Sequence, residues 1–164
     1  MSGQMNSANV GRLAAVLLAA LTIASCVAVA PPAQPPSADY YNSEEKLIRQ
    51  SLATYAAARQ RGDGIAQAAR YAEDAELWHT LSKRGLVRSR SAIQNLFLAH
   101  KAAPFRLEPV NISFATADVA LVDAHFFGPA LDPNGVAYYV MVKRGGEWLI
   151  RAVRFMPLPE RKSP

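Results

Sequence analysis

Residues 54–80, TYAAARQRGDGIAQAARYAEDAELWHT, and residues 138–155, YYVMVKRGGEWLIRAVRF, decide how the rest of the chain is read. The first stretch keeps a helical period up to Gly62, which stops that helix because glycine takes the left-handed backbone at a C-terminus without steric penalty. Asp63 then caps a second, shorter helix through about Tyr71, and Ala75 to Thr80 reads as a first short strand. The second stretch alternates β-branched and aromatic residues on both sides of Gly145-Gly146, the signature of a tight hairpin.

Upstream, Asn42 forms a capping box with Glu45, and Ile48, Leu52, Tyr55 and Ala56 follow at helical spacing. This first helix and the one after Gly62 are separated by a single turn, so they form a hairpin. Downstream, Ser91 and Gln94 make a second capping box for a third helix that turns Ile93, Leu96 and Phe97 inward and ends before Pro104. Four strands complete the chain: Arg106 to Ala115, Val119 to Phe127, Val136 to Arg144 and Glu147 to Met156, with Ala117-Asp118 and Asn134-Gly135 as turn signals. Helices first and antiparallel strands after them form the α+β pattern.

The N-terminus carries a different message. Arg12 is the only charge before an apolar run from Leu13 to Ile23, which closes on Ile23-Ala24-Ser25-Cys26. An aliphatic residue and two small ones before a cysteine resemble the lipobox of bacterial lipoproteins. The resemblance implies that residues 1–25 are a signal peptide and that Cys26 becomes the lipid-bearing first residue. Val27, in place of the aspartate that retains many such proteins at the inner membrane, implies the outer membrane facing the periplasm. Two alternatives stand beside it. A transmembrane helix needs about 20 apolar residues, more than this run offers. Ala28-Val29-Ala30 fits a general signal peptidase and would give a soluble periplasmic or secreted protein, but Pro31 directly after the cut obstructs extended binding. Residues 26–42, rich in proline and alanine, read as a tether; residues 43–157 form the domain and 158–164 a tail. Cys26 is the only cysteine, which excludes an intrachain disulfide and a thiolate metal site.

Lysine and arginine number 18 against 13 acidic residues, a net charge of +5. The basic residues are scattered without aromatic interleaving, so no nucleic-acid partner is expected; a solvated surface near anionic headgroups accounts for them. A domain of this length builds one core and one pocket.

The Gly-Asp between the first helices, the Tyr-Ala-Glu-Asp-Ala of residues 71–75 and the Gly-Gly-Glu-Trp of residues 145–148 resemble the nuclear transport factor 2-like superfamily, near its SnoaL-like polyketide cyclases and ketosteroid isomerases. The resemblance covers residues 43–157. It implies a cone-shaped, curved antiparallel sheet wrapped on three N-terminal helices, with a ligand inside, Trp148 packed on the first helix, and a homodimer through the sheet. The isomerases place a tyrosine on the first helix seven residues before the Gly-Asp, where this chain has Tyr55, and a catalytic aspartate eight residues after the tyrosine closing the second helix, where it has His79. Imidazole, with an ordinary pKa of about 6.5, serves as a general base near neutral pH. The isomerases' oxyanion-hole aspartate falls on the strand holding Tyr138 and Tyr139. Neither is a carboxylate, and the register leaves open which of them faces inward.

The candidate catalytic residues are therefore His79 and Tyr55, and the candidate pocket residues are Tyr55, Trp78, Phe97, Tyr138 and Phe155, aromatic as ligand pockets tend to be. Tyr55 equally fits a packed core position. Trp78 and His79 point to opposite faces of their strand. Asp123, His125 and Phe127 share a face opposite Val122, Ala124 and Phe126, either orienting one another or meeting solvent. His100 reads as a cation near a helix end. The three histidines share no short metal motif, and no nucleophile elbow or phosphate loop is present, so neither a metal nor a cofactor is expected. The function expected is a membrane-anchored domain binding a small apolar or aromatic molecule without turnover. An isomerase or cyclase using His79 is the first alternative, and an accessory or assembly protein using the sheet face is the second.

Overall fold

The structure, a computed structural model, describes residues 36–79, 85–99, 101–128 and 134–157, with the side chains of His79, Asn134 and Pro157 also left undescribed. All described residues belong to one compact unit, Pro35–Pro164. Cys26 and the segment before it lie outside them, as does His100.

Helix α1 runs Ala38–Gln60, capped by Ser37, whose hydroxyl accepts from Tyr40 N at 3.3 Å. It therefore starts before the expected Asn42 cap, and residues 38–42, assigned above to the tether, are helical. Gly62 ends it as expected, at φ +70°, where an added Cβ would lie 2.7 Å from Ala102 N. Asp63 caps the short α2, Gly64–Ala68, through its carboxylate and Ala66 N at 2.9 Å. Strand β1 spans Tyr71–His79, so Tyr71 opens a strand rather than closing a helix. Its pairing with the last strand begins at once, Ile150 N donating to Arg70 O at 2.8 Å.

Strand β2, Gly85–Arg88, has no counterpart in the sequence-based expectation. Helix α3 spans Arg90–Leu98 and is capped by Ser89 rather than Ser91, Ser89 Oγ accepting from Ala92 N at 3.3 Å. The remaining strands, β3 Arg106–Thr116, β4 Val119–Phe127, β5 Asn134–Arg144 and β6 Glu147–Pro157, match the expected four to within two residues. Asn134-Gly135 opens β5 instead of forming the turn before it.

The six strands order as β2-β1-β6-β5-β4-β3. The expected antiparallel sheet is in fact mixed, because β1 runs parallel to β6 while every other pair is antiparallel. Register shifts interrupt β1 between Tyr71 and Glu76, β3 near Pro109 and Thr116, and the β5–β6 pair at Val140/Met141. Such bulges bend strands and increase twist, curving the sheet around the helices. Pro109 lacks a donor and sits on the edge strand, where that is tolerated. The core lies between the inner sheet face and the helices, with Ile48 and Leu52 of α1 and Ile93 of α3 meeting Leu77, Val122 and Ile150. This is the α+β cone.

Candidate functional site

Tyr55 and Arg59 stand one turn apart on α1, so both side chains leave the same helix face. Tyr55 is fully buried. Its ring meets Tyr71 of β1 at 5.9 Å and Phe105, just before β3, at 6.2 Å, both edge-on. Tyr71 continues to Phe97 of α3 at 5.8 Å, and Tyr139 of β5 touches Phe155 of β6 at 6.1 Å. Arg59 lies over this cluster, its guanidinium carbon 4.0 Å from the Phe105 ring centre and 5.7 Å from that of Phe155.

The hydroxyls of Tyr55, Tyr71 and Tyr139 are buried and have no hydrogen-bond partner among the described residues; the same holds for the amide nitrogen of Gln67 on α2. A buried polar group left unpaired costs about 1–3 kcal/mol, so several in one aromatic interior require a reason. Burial pushes the Tyr71 hydroxyl well above its ordinary pKa, the charges of Tyr55 and Tyr139 and the nearby Tyr55 hydroxyl, which stands outside normal hydrogen-bond geometry, add to the rise, and Arg59 opposes it. Tyr139 rises for the same reasons, burial first and Tyr55 second, again against Arg59. Both phenols stay protonated at ordinary pH and are available as donors.

The five aromatic candidates do not share one pocket. Tyr55, Phe97 and Phe155 are interior, whereas Trp78 and Tyr138 are 41% and 45% exposed on the opposite sheet face. The inward tyrosine is Tyr139, and it takes the place expected of Tyr138. Strand pairing explains the split: Trp78, Arg154 and Tyr138 are direct neighbours across β1, β6 and β5, so all three share the outer face. There they line a groove of about 530 Å³ together with Leu86, Ala152 and Met156. Arg154 lies 5.1 Å from the Trp78 ring.

His79 ends β1, paired in register with Gly85 and Phe155; its side chain is outside the described residues. Asp123 and His125 do share the outer face, but Asp123 accepts from Asn111 Nδ2 at 3.2 Å. Among the described residues no three His, Cys, Asp or Glu side chains gather as metal ligands. Sequence reasoning missed the parts that Arg59, Tyr71 and Phe105 play here, and left open the choice between Tyr138 and Tyr139. The spacing of Arg59 from Tyr55 was a usable signal for the first, and the inward alternation of Ala137, Tyr139 and Met141 for the last.

No family model matches the sequence, and the search of curated proteins found no match. Solved structures are similar in fold. A protein of unknown function from Mycobacterium tuberculosis superposes with a TM-score of 0.63 at 20% identity, over 74% of this chain and 75% of its own. An NTF2-like protein of unknown function from Shewanella oneidensis gives 0.60 at 18% identity, over 68% and 98%. A ketosteroid isomerase-like protein from Erwinia carotovora atroseptica gives 0.55 at 18% identity, over 68% and 94%. The chain has the nuclear transport factor 2-like fold; fold alone assigns no activity.

Proposed function

We propose that this domain binds a small apolar or aromatic molecule inside its cone without turning it over, and that lipid on Cys26 holds it at the periplasmic face of a bacterial outer membrane. The observation that carries the binding proposal is the set of unpaired, buried hydroxyls of Tyr55, Tyr71 and Tyr139 amid Phe97, Phe105 and Phe155. Pockets of this kind combine apolar walls with a few polar groups that fix orientation. The anchor rests on the sequence Ile23-Ala24-Ser25-Cys26. A homodimer is proposed through the outer sheet face, where Trp78, Leu121 and Tyr138 are exposed together.

Calorimetric titration with naphthols and aromatic ketones tests the binding proposal. Tyr71→Phe and Tyr139→Phe remove one hydroxyl each and are expected to weaken the bound compound about 3- to 10-fold, one hydrogen bond's worth. Unchanged affinity in both variants would count against a ligand at the hydroxyls.

One observation favours an enzyme as the second reading: Tyr55 places a buried phenol on α1 at the isomerase spacing, with His79 at the end of β1. An isomerase or cyclase of that kind predicts that His79→Gln lowers turnover about a hundredfold or more and leaves binding intact.

A further inference from the structure

We infer that the ligand of the cone carries a carboxylate, and that Arg59 is its counter-ion. The inference rests on the binding proposal and specifies its ligand class. Arg59 is partly buried and makes no ion pair among the described residues. The aromatic faces of Phe105 and Phe155 hold its guanidinium in place. A guanidinium held over aromatic rings keeps its N–H groups for hydrogen bonding, and these match a carboxylate bidentately. Glu44 is the only buried acid among the described residues, and it already accepts from Lys143 and Trp148. No carboxylate of the described chain neutralises Arg59.

The remaining polar groups agree in sign. Tyr71 and Tyr139 stay protonated and present O–H donors, and Arg59 offers only donors. A partner that completes this set supplies acceptor oxygens and negative charge. Its other end is apolar, because the side chains around these groups, Phe97, Phe105 and Phe155 among them, are rings. An aromatic or alicyclic monocarboxylate meets all three requirements; a neutral ketone or amide of the same shape satisfies the hydroxyls and leaves the guanidinium without a counter-charge.

The test compares naphthalene-2-carboxylate with naphthalene-2-carboxamide, and benzoate with benzamide, by calorimetry on the mature protein and on Arg59→Gln and Arg59→Lys. The expected result is at least tenfold tighter binding of each carboxylate than of its amide, lost in Arg59→Gln, partly kept in Arg59→Lys, with amide affinity unchanged within twofold. Near-ultraviolet circular dichroism verifies that the variants keep their packing; should Arg59→Gln lose it, the wild-type carboxylate-to-amide ratio and Arg59→Lys decide. Amides that bind as tightly as carboxylates, or an Arg59→Gln loss equal for both, overturn the inference and leave the binding proposal standing. If neither pair binds the folded wild-type protein, the inference falls, and the titrations with naphthols and aromatic ketones decide the binding proposal separately.

Discussion

Glu44 shows how a single buried charge is made tolerable. Its Oε1 accepts from Lys143 Nζ at 2.7 Å and its Oε2 from Trp148 Nε1 at 2.6 Å, while Ser51 Oγ donates to Trp148 O at 2.7 Å. Burial alone would raise the carboxyl; the bonds from Lys143 and Trp148, with the lysine charge, reverse this and hold it below its ordinary value of 4.5. A depressed carboxylate contributes stability that is present above the unfolded pKa and lost as pH falls through the folded one. Lys143 mirrors it. Its bond to Glu44 raises the ammonium above 10.5, so its contribution is present below that value and lost as pH rises through the folded one. Glu44→Gln is expected to cost about 2 kcal/mol at neutral pH, and urea titrations should show the gap to wild type closing below about pH 4. A pH-independent gap would refute the charge account. Trp148→Ala removes both the indole bond and a ring that is 2% exposed. It is expected to cost about 3–5 kcal/mol by chemical denaturation, and a loss under about 1 kcal/mol would mean that the ring is not held in the core.

The four C-terminal strands were legible because β4 and β5 alternate between the core and the outer face along most of their length, and β3 and β6 do so on either side of their register shifts. The N-terminal elements were not. In β1, Glu73 and Asp74 are both exposed, within the register shift between Tyr71 and Glu76, so the two-residue period that marks a strand is broken where it should begin. Strand β2 has four residues and no period to read. Helix α1 hides its start because Ala38 to Tyr41 follow a proline-rich stretch and Asn42 offers a stronger capping pattern than Ser37. The site was half legible for the same reason. Tyr55 and Phe97 sit on helical periods and Phe155 on a clean strand, while Tyr71 lies beside the bulge and the Tyr138-Tyr139 pair alternates either way in isolation. Ser89, between β2 and α3, carries a further consequence. It is the one non-glycine residue among those described with positive φ, at +76°, a region that costs about 1–3 kcal/mol for residues with a side chain. Its hydroxyl also caps α3, and glycine is nearly as good a cap as serine. Ser89→Gly is therefore expected to stabilise by about 1 kcal/mol and Ser89→Ala to destabilise by about as much. Thermal melts that lower both variants equally would show that the cap outweighs the strain.

At the scale of the whole molecule the two faces of the sheet differ in chemistry. The inner face closes the aromatic interior; the outer face carries a row that runs Trp78, Arg154, Tyr138, Asp123 in register across β1, β6, β5 and β4. Arg154 and Asp123 flank Tyr138 on either side, so a second copy related by a twofold axis along β5 would set each arginine against the other copy's aspartate. Such an interface needs roughly 1,000 Å² or more to persist. Sedimentation is expected to report a dimer that Tyr138→Glu dissociates without lowering the melting temperature of the monomer; a wild-type monomer at all concentrations would remove the proposal. The anchor is a separate question, and it depends on Cys26. One acyl chain binds a membrane only marginally, at about 0.8 kcal/mol per buried methylene, and stable attachment needs a second signal. The several chains of a bacterial lipoprotein would meet that need, and the excess of basic over acidic residues after Cys26 would add attraction to anionic headgroups. Cys26→Ser is expected to abolish incorporation of labelled palmitate, leave the precursor uncleaved at that position and lose the acyl-dependent membrane attachment. A wild-type protein whose mature N-terminus follows Ala28 or Ala30 would instead place cleavage at the general signal peptidase site, and the domain would then work unanchored.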